Sequence, residues 1–220
     1  MNITLVIPSL AMGGAERVIS QLANQFIKTN HEVNLILLGN LPDFYKINSN
    51  VKIYRLGFEN KNPIQKITTE IKIFFKLRKL LISTQPDAVL SFMTKYNVLT
   101  IMASLFTGIN IYVSERNNPL KKISIQLSLS RKLFYRNAKG IIAQTMFAKK
   151  VFEDTLNCKN IEVIENPVIN IENSLIKKRE KTIITTGRLI PSKNHISLVR
   201  IFSKLKRKDW KLKILGDGPE

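Results

Sequence analysis

The hydrophobic residues of this chain fall into short apolar runs, separated by longer segments in which apolar positions recur at helical spacing. The short runs lie at residues 2–7, 33–38, 51–55, 88–92, 109–113, 140–143 and 161–164. Most of them are continuous stretches of Val, Ile and Leu, which is typical of strands that are covered on both faces. The pattern therefore predicts a parallel sheet.

Segments of helix length lie between these strands, at residues 15–28, 64–83, 95–106, 123–136 and 145–155. Alternation of strand and helix predicts a doubly wound α/β domain. Asn166-Pro167 ends the alternation, because the residue before a proline is disfavoured in the helical region. We therefore place the end of a first domain at residue 168.

A polar, lysine-rich stretch at 169–181 predicts a linker, after which the rhythm of strand and helix starts again. The pattern predicts a strand at 182–186, a helix at 194–205 and a strand at 212–215. One such unit of about 40 residues cannot cover both faces of a sheet. We therefore expect residues 182–220 to form the incomplete start of a second α/β domain.

The composition is strongly basic. The 220 residues include 35 Lys and Arg against 16 Asp and Glu, a formal net charge of +19, and 44% of them are hydrophobic. Such a charge predicts an anionic partner, which leaves nucleic acid, a phosphorylated small molecule or an acidic membrane face. A general richness in Lys, Ile and Asn is the alternative explanation. The single cysteine, Cys158, excludes an intramolecular disulfide framework and a Cys-based zinc site, as is usual in a reducing cytoplasm.

Two uncharged stretches resemble membrane signals but are better explained by a folded core. Residues 1–15 have no basic segment ahead of the apolar run, and Pro8 interrupts that run early. Residues 96–114 are long enough to cross a bilayer, but they include polar side chains and Gly108 divides them. We expect a buried strand in the first stretch, and a buried helix followed by a strand in the second.

Gly13 and Gly14 stand between the first predicted strand and the first predicted helix. Glycines at this place let the backbone come close to a ligand, and a helix N-terminus offers free N–H groups to an anion. Ligands of open α/β sheets bind at this end of the strands. A plain tight turn is the alternative. The P-loop and G-x-G-x-x-G patterns are both missing, which argues against a P-loop ATPase and an ordinary dinucleotide dehydrogenase.

A second candidate site follows the strand at 182–186, where Gly187 precedes Arg188 and Lys193. Arg can hold a phosphate through two parallel N–H donors, and Lys adds a compact charge. Together they could bind a diphosphate and stabilise the negative charge that builds on it as a leaving group. A solvated basic loop is the alternative. His195, at the start of the next helix, is expected to be a solvated residue of the first turn.

Five short motifs occur in a fixed order along the whole chain. They are Gly-Gly-Ala-Glu-Arg-Val at 13–18, Ser-Glu-Arg-Asn-Asn-Pro at 114–119, Glu-Asn-Pro-Val at 165–168, Gly-Arg-Leu at 187–189 with Lys193, and Gly-Asp-Gly-Pro-Glu at 216–220. In this order and spacing the chain resembles the retaining glycosyltransferases of family 4, which have the GT-B fold of two Rossmann-like domains. The similarity is greatest to bacterial enzymes that extend surface polysaccharides or lipid-linked oligosaccharides.

The resemblance implies a hexosyl-type transfer, with retention of anomeric configuration, from a nucleotide sugar in which the expected nucleotide is UDP. The acceptor would be a saccharide or a saccharide linked to polyprenyl diphosphate, and neither a metal nor another cofactor would be bound. The absence of an Asp-x-Asp pair, which metal-dependent transferases use, agrees with this expectation.

The resemblance also assigns roles to residues of this chain. Arg188 and Lys193 would be the catalytic residues that meet the leaving diphosphate, and Gly13 and Gly14 would close over it from the other domain. The loop beside the nucleoside would contain Gly216, Asp217 and Gly218. The residues near the acceptor and the transferred sugar would be Glu115, Arg116 and Asn117.

Two departures from the family pattern limit these implications. Arg116 stands where many relatives have a His near the transferred sugar, so the role of this position is open. The Glu-x7-Glu motif of the donor domain would lie beyond Glu220, so we expect a truncated chain that is not active by itself. A non-catalytic acceptor-domain remnant or a partner subunit is the alternative function.

Charge and hydrophobicity suggest where the protein works. Every charged residue from Arg116 to Lys150 is a Lys or an Arg, and residues 64–82 place Ile and Phe at helical spacing among lysines. Basic amphipathic helices can lie on anionic lipid, so we expect a cytoplasmic protein that docks peripherally on the inner membrane face. The alternative is a surface helix whose apolar stripe packs on the sheet. We do not expect nucleic acid as a partner, because aromatic residues are not interleaved with the basic clusters and no known module appears.

Overall fold

A computed structural model describes residues 1–58, 63–168, 180–205, 207 and 209–219 of the chain. Its contacts divide the chain into two compact units, residues 1–167 and residues 168–220, and each is described by itself. The linker predicted at 169–181 lies outside the described residues, apart from residues 180 and 181.

Seven parallel strands form the sheet of the first unit. They are β1 (Asn2–Ile7), β2 (Glu32–Gly39), β3 (Lys52–Phe58), β4 (Ala88–Phe92), β5 (Ile111–Ser114), β6 (Gly140–Ala143) and β7 (Ile161–Val163). Their order across the sheet is β3-β2-β1-β4-β5-β6-β7, so the chain winds outward from β1 in both directions. In the centre, Ile3 of β1 lies opposite Val33 on one side and Ala88 on the other. The doubly wound fold predicted from the sequence is confirmed.

Helices cover both faces of this sheet. They are α1 (Gly14–Lys28), α2 (Pro63–Thr84), α3 (Thr94–Ser104), α4 (Ile125–Phe134) and α5 (Met146–Leu156). Leu5 points into an apolar cluster with α1, and its neighbour Val6 points into a second cluster with residues of α2, α3 and α5. Because successive strand residues face opposite layers and both layers are buried, the central strands are mostly apolar, and Thr4, Asn34 and Ser91 are buried polar exceptions.

Several element ends differ from the prediction for local backbone reasons. The helix expected over 95–106 ends at Ser104, since Phe106 and Gly108 have φ values of 63° and 75° that no right-handed helix accommodates. The strand expected over 109–113 consequently begins at Ile111. The helix expected from residue 123 begins at Ile125, because the Ser124 hydroxyl accepts a hydrogen bond from the first turn.

The second unit contains one strand–helix–strand motif. Parallel strands β8 (Thr182–Thr186) and β9 (Lys211–Leu215) flank α6 (His195–Lys204), which follows a 3-10 turn at Pro191–Lys193. This is the motif predicted from the sequence. Apolar strand residues such as Ile184 and Leu215 stay more than half exposed.

None of the helices within the described ranges is both long enough and apolar enough to cross a membrane.

Candidate functional site

The carboxyl ends of the strands in the first unit bring the predicted acceptor-side residues to one edge of the sheet. Gly13 and Gly14, which we call the glycine segment, follow β1, and the segment that starts with Glu115 follows β5. Gln144 follows β6, and Asn166 follows β7. Parallel strands end on the same side, which is where open α/β sheets bind ligands.

The backbone at and before the glycine segment accepts hydrogen bonds that hold it in place. The Tyr45 hydroxyl donates a hydrogen bond to the Gly13 carbonyl at 2.9 Å, and Phe44 N donates to the Leu10 carbonyl at 2.9 Å. Gly13 is the N-cap of α1 in extended conformation, and no side chain caps the helix. The first N–H groups of α1 therefore keep donor capacity for an anion.

The two glycines of this segment differ in what surrounds them. A Cβ added at Gly13 would overlap the carboxylate of Glu16, which is the end of a flexible side chain. A Cβ added at Gly14 would meet no atom within 4 Å. Gly14 is thus exposed and is not required for packing, but its missing side chain leaves the helix N-terminus open.

A buried polar network holds the end of β5. Glu115 is only 2% exposed, and its carboxylate accepts hydrogen bonds from the Thr94 hydroxyl at 2.8 Å and from the Tyr135 hydroxyl. Asn97 Nδ2 donates to the Tyr135 oxygen at 3.0 Å and to the Ser114 carbonyl at 3.1 Å. Burial, and then the adjacent Glu115, raise the pKa of Tyr135 well above its usual value, so the phenol remains a donor.

Arg116 lies at the surface side of this network. Its guanidinium carbon is 4.2 Å from the centre of the Phe92 ring, and Nη1 donates to Asn166 Oδ1 at 2.6 Å. Gln144 Nε2 donates to the same oxygen at 2.8 Å. Burial lowers the pKa of Arg116 to about 10, which leaves the side chain charged at neutral pH. Its Nε has no hydrogen-bond partner within the described part of the chain, and the next residue, Asn117, is exposed.

The basic loop of the second unit lies between β8 and α6. Arg188 and Lys193 are both exposed, and the methylene chain of Lys193 passes 3.7 Å from the position that a Cβ on Gly187 would take. His195 is buried, and its Nε2 is 3.3 Å from the Arg188 carbonyl oxygen. The prediction that His195 is solvated is therefore wrong, because its ring points back under the loop that carries Arg188.

The loop after β9 packs against this basic loop, backbone to backbone. Leu189 N donates a hydrogen bond to the Asp217 carbonyl at 2.8 Å. A Cβ on Gly216 would overlap the carbonyl oxygen of Gly187, and a Cβ on Gly218 would overlap that of Leu189. Both glycines are therefore required by close approach. Residue 220, the last of the predicted nucleoside-side motif, lies outside the described residues.

The structure thus assembles two groups of predicted residues, one in each unit. In the second unit, Arg188 and Lys193 share an edge with the loop 216–218. In the first unit, Gly14 and Arg116 share the carboxyl edge of the sheet. The predicted closure of the glycine segment over a diphosphate held by the second unit involves both units and stays a prediction.

Sequence reasoning missed the side chains that hold the predicted residues in place. Thr94 and Tyr135 bind Glu115, Gln144 shares the oxygen that binds Arg116, and His195 supports the basic loop. These residues are distant in sequence from the groups they contact, and no local pattern marks them. Asn166 is the exception, since it stands within a family motif.

The described residues contain no group of three His, Cys, Asp or Glu side chains that could hold a metal ion. Cys158 is a free, buried thiol, and burial raises its pKa.

Sequence comparison finds that this chain is similar to bacterial glycosyltransferases. A relative from Campylobacter jejuni is an alpha-1,4-N-acetyl-D-galactosaminyltransferase named for a PP-undecaprenol-linked substrate. It is 28% identical over 99% of this chain, which covers 62% of the relative. The amylovoran biosynthesis glycosyltransferase AmsD of Erwinia amylovora is 26% identical over 94% of this chain and 59% of its own length. The chain thus spans about 60% of the length of these relatives.

The fold is that of GT-B glycosyltransferases. HepE of Anabaena, solved in complex with UDP, superposes with a TM-score of 0.73 at 16% identity, over 100% of this chain and 62% of that one. The family model for Glycosyltransferase Family 4 matches residues 12–169, which include the glycine segment, Arg116 and Asn166. The chain belongs to Glycosyltransferase Family 4.

Proposed function

We propose that this protein transfers a sugar from a nucleotide donor to a saccharide or lipid-linked saccharide acceptor in the synthesis of a cell-surface polysaccharide. The observation that carries the proposal is the basic loop of the second unit. This loop contains Arg188 and Lys193, and its backbone packs directly against the backbone of the glycine-containing loop 216–218. The named substrate of the Campylobacter relative and the UDP bound to HepE support a lipid-linked acceptor and a UDP-sugar donor.

The leaving diphosphate is the group that these side chains would serve. As the bond between the sugar carbon and the diphosphate oxygen breaks, negative charge builds on the phosphates. Arg188 would hold two phosphate oxygens with parallel N–H donors, and Lys193 would add a mobile charge. His195, which bonds the Arg188 carbonyl, would keep the loop in place for this contact.

The acceptor side would use the carboxyl edge of the first unit. Arg116 is fixed by Phe92 and Asn166 and keeps its positive charge, which suits recognition of a sugar hydroxyl or a phosphate. Glu115 is engaged by Thr94 and Tyr135, so it would act by positioning the backbone that carries Arg116. Retention of configuration is the outcome we expect from the family resemblance.

The site of action would be the cytoplasmic face of an anionic membrane, which the protein would reach as a peripheral protein. Exposed apolar side chains on α2 and α4, next to exposed lysines, support this placement. The lipid-linked substrate in the name of the Campylobacter relative supports it as well.

The test is a transfer assay with radiolabelled UDP-sugars and a polyprenyl-diphosphate-linked saccharide, run on the product of the complete gene. Arg188→Ala and Lys193→Ala should each lower turnover by about a hundredfold, as loss of a charge-stabilising donor typically does. Lys204→Ala, at an exposed position on α6 outside the loop, is the matched control and should retain normal turnover. Near-normal turnover in both loop variants would contradict the assignment.

A further inference from the structure

An open apolar cleft lies between α2, α3 and α4. Its volume is about 440 Å³, which is within the range of small-molecule sites. Leu99 and Met102 of α3, Phe75 and Ile71 of α2, and Leu127 of α4 all line it. Four residues of its lining have polar groups, Glu70, Lys95, Tyr96 and Ser130, and the first two pair with each other at 2.7 Å.

The rim of this cleft is an exposed apolar stripe on α2. Ile67, Ile71 and Phe75 recur at every fourth residue and are each more than half exposed, and Ile82 continues the same face. The inward face of the helix carries Ile73, which is buried. The helix therefore presents apolar residues outward beside an apolar cleft, a combination that a helix packed only on its own sheet does not require.

The charges along α2 favour an anionic occupant. Lys72 and Lys79 are exposed on the turns next to the stripe, and Lys76, also exposed, donates a hydrogen bond to the Leu56 carbonyl of β3 at 3.4 Å. The single acidic residue of the helix, Glu70, is already paired with Lys95. Lysines beside an apolar face attract anionic headgroups, at about 1 kcal/mol for each charge near the surface.

We propose that this cleft holds one hydrocarbon chain of an anionic membrane lipid, with the lysines of α2 beside its headgroup. The role of the site rests on the proposed function, because a lipid chain held here would keep the acceptor edge of the first unit near lipid-linked substrates. Binding of the chain itself needs no sugar transfer, so the two can be tested apart.

The test follows methionine methyl groups by NMR while decyl phosphate is added to the 220-residue chain labelled with 13C-methyl methionine. Met102 lines the cleft, whereas Met146 is exposed elsewhere and serves as the internal control. The methyl signal that disappears in Met102→Leu is assigned to Met102. We expect a saturable shift of Met102 with decyl phosphate and none with inorganic phosphate. Absence of that shift, or an equal shift at Met146, overturns the proposal.

Variants on one helix separate the cleft from the general surface. Phe75 is 62% exposed and lines the cleft, while Ile82 is 49% exposed and does not line it, so neither substitution opens the core. Phe75→Ser should weaken decyl phosphate binding about tenfold, and Ile82→Ser should leave it nearly unchanged. Equal weakening by the two variants contradicts the assignment.

The headgroup is tested with decyl maltoside, which offers the same chain without charge. It should bind about fivefold or more weakly than decyl phosphate at low salt, and equal affinity overturns the anionic part of the proposal. The variant Arg188→Ala should lose transfer activity but should still show the Met102 shift with decyl phosphate. Failure of the proposed function and failure of the chain site are therefore distinguishable.

Discussion

Glycines are needed at different positions of this protein for two different reasons, close backbone packing and open space for a ligand. Gly216 and Gly218 are required because a Cβ would overlap a carbonyl of the facing loop. Gly14 has open space where its Cβ would be, at the first position of α1. Packing therefore explains the first two glycines, whereas an approaching ligand is the physical reason we give for Gly14.

Gly14→Ala separates stability from function. Alanine is favoured over glycine in a helix by up to about 1 kcal/mol, so the free energy of unfolding should stay the same or rise. Sugar transfer by the product of the complete gene should fall, because the methyl group would occupy the space through which we propose that the diphosphate reaches the backbone N–H groups. Urea unfolding and the transfer assay measure the two effects. Lower stability, or full activity, in Gly14→Ala is the opposite of what we expect.

The Tyr135 hydroxyl makes stability depend on pH. Its pKa in the folded state is raised above the unfolded value of about 10, so the stabilising neutral phenol is fully present below that pH. The contribution is lost as pH rises through the folded pKa. Tyr135→Phe removes a donor to the buried Glu115 carboxylate and should cost about 1–3 kcal/mol at pH 8.

Urea unfolding of the native chain and of Tyr135→Phe, from pH 8 to pH 11, tests whether the stability contributed by the Tyr135 hydroxyl is lost as pH rises. The difference in unfolding free energy between the native chain and Tyr135→Phe should narrow above about pH 10. A difference that stays constant across this range means that the phenol does not titrate with folding.

Among the helices, α4 is apolar on two opposite faces. Leu127 and Phe134 pack toward the core, whereas Ile125, Leu129 and Leu133 are 79%, 64% and 60% exposed at every fourth residue. Lysines precede and follow this stripe in the sequence. Amphipathic helices with an apolar face beside basic residues can bind an anionic bilayer, and we predict this for the outer face of α4.

The double variant Leu129→Ser/Leu133→Ser should sediment less with acidic vesicles than the native chain, while its melting temperature stays unchanged because both side chains are exposed. Val199→Ser on α6, also at an exposed apolar position, is the control and should sediment normally. Equal recovery of the native chain with neutral and acidic vesicles, at low and high salt, would rule out docking.

The elements show how far the sequence alone predicts this fold. Strands buried on both faces are continuous runs of Val, Ile and Leu, so their positions were predictable to within a few residues. Helix ends were less so, because the left-handed backbone at Phe106 has no signature in a non-glycine residue. For α2 the apolar pattern left two alternatives, docking on lipid and packing on the sheet. Ile73 packs inward on the sheet, whereas Phe75 faces outward and docking on lipid stays a prediction.

The candidate site was predictable where a motif carries it, as for the loop of Arg188 and Lys193. The supporting contacts were not predictable, because burial of His195 beneath that loop and of Tyr135 beside Glu115 depends on tertiary packing. In the sequence, neither His195 nor Tyr135 lies in a pattern that indicates its contact.

At the scale of the whole molecule, the family resemblance predicts that the two units bind one ligand. Each unit brings its own predicted residues to an edge, and the chain spans about 60% of the length of its relatives. The central claim, which stays a prediction, is that a diphosphate bound by Arg188 and Lys193 also contacts the helix N-terminus at Gly14.

The most direct test is a distance measurement between spin labels at Met12→Cys and Ser192→Cys, two exposed loop positions. Cys158 is the only native cysteine and is buried, so labelling is selective. With UDP, a population at shorter distance should appear, which uridine does not produce and which Arg188→Ala/Lys193→Ala abolishes. Identical distance distributions with UDP, with uridine and without ligand would contradict the claim.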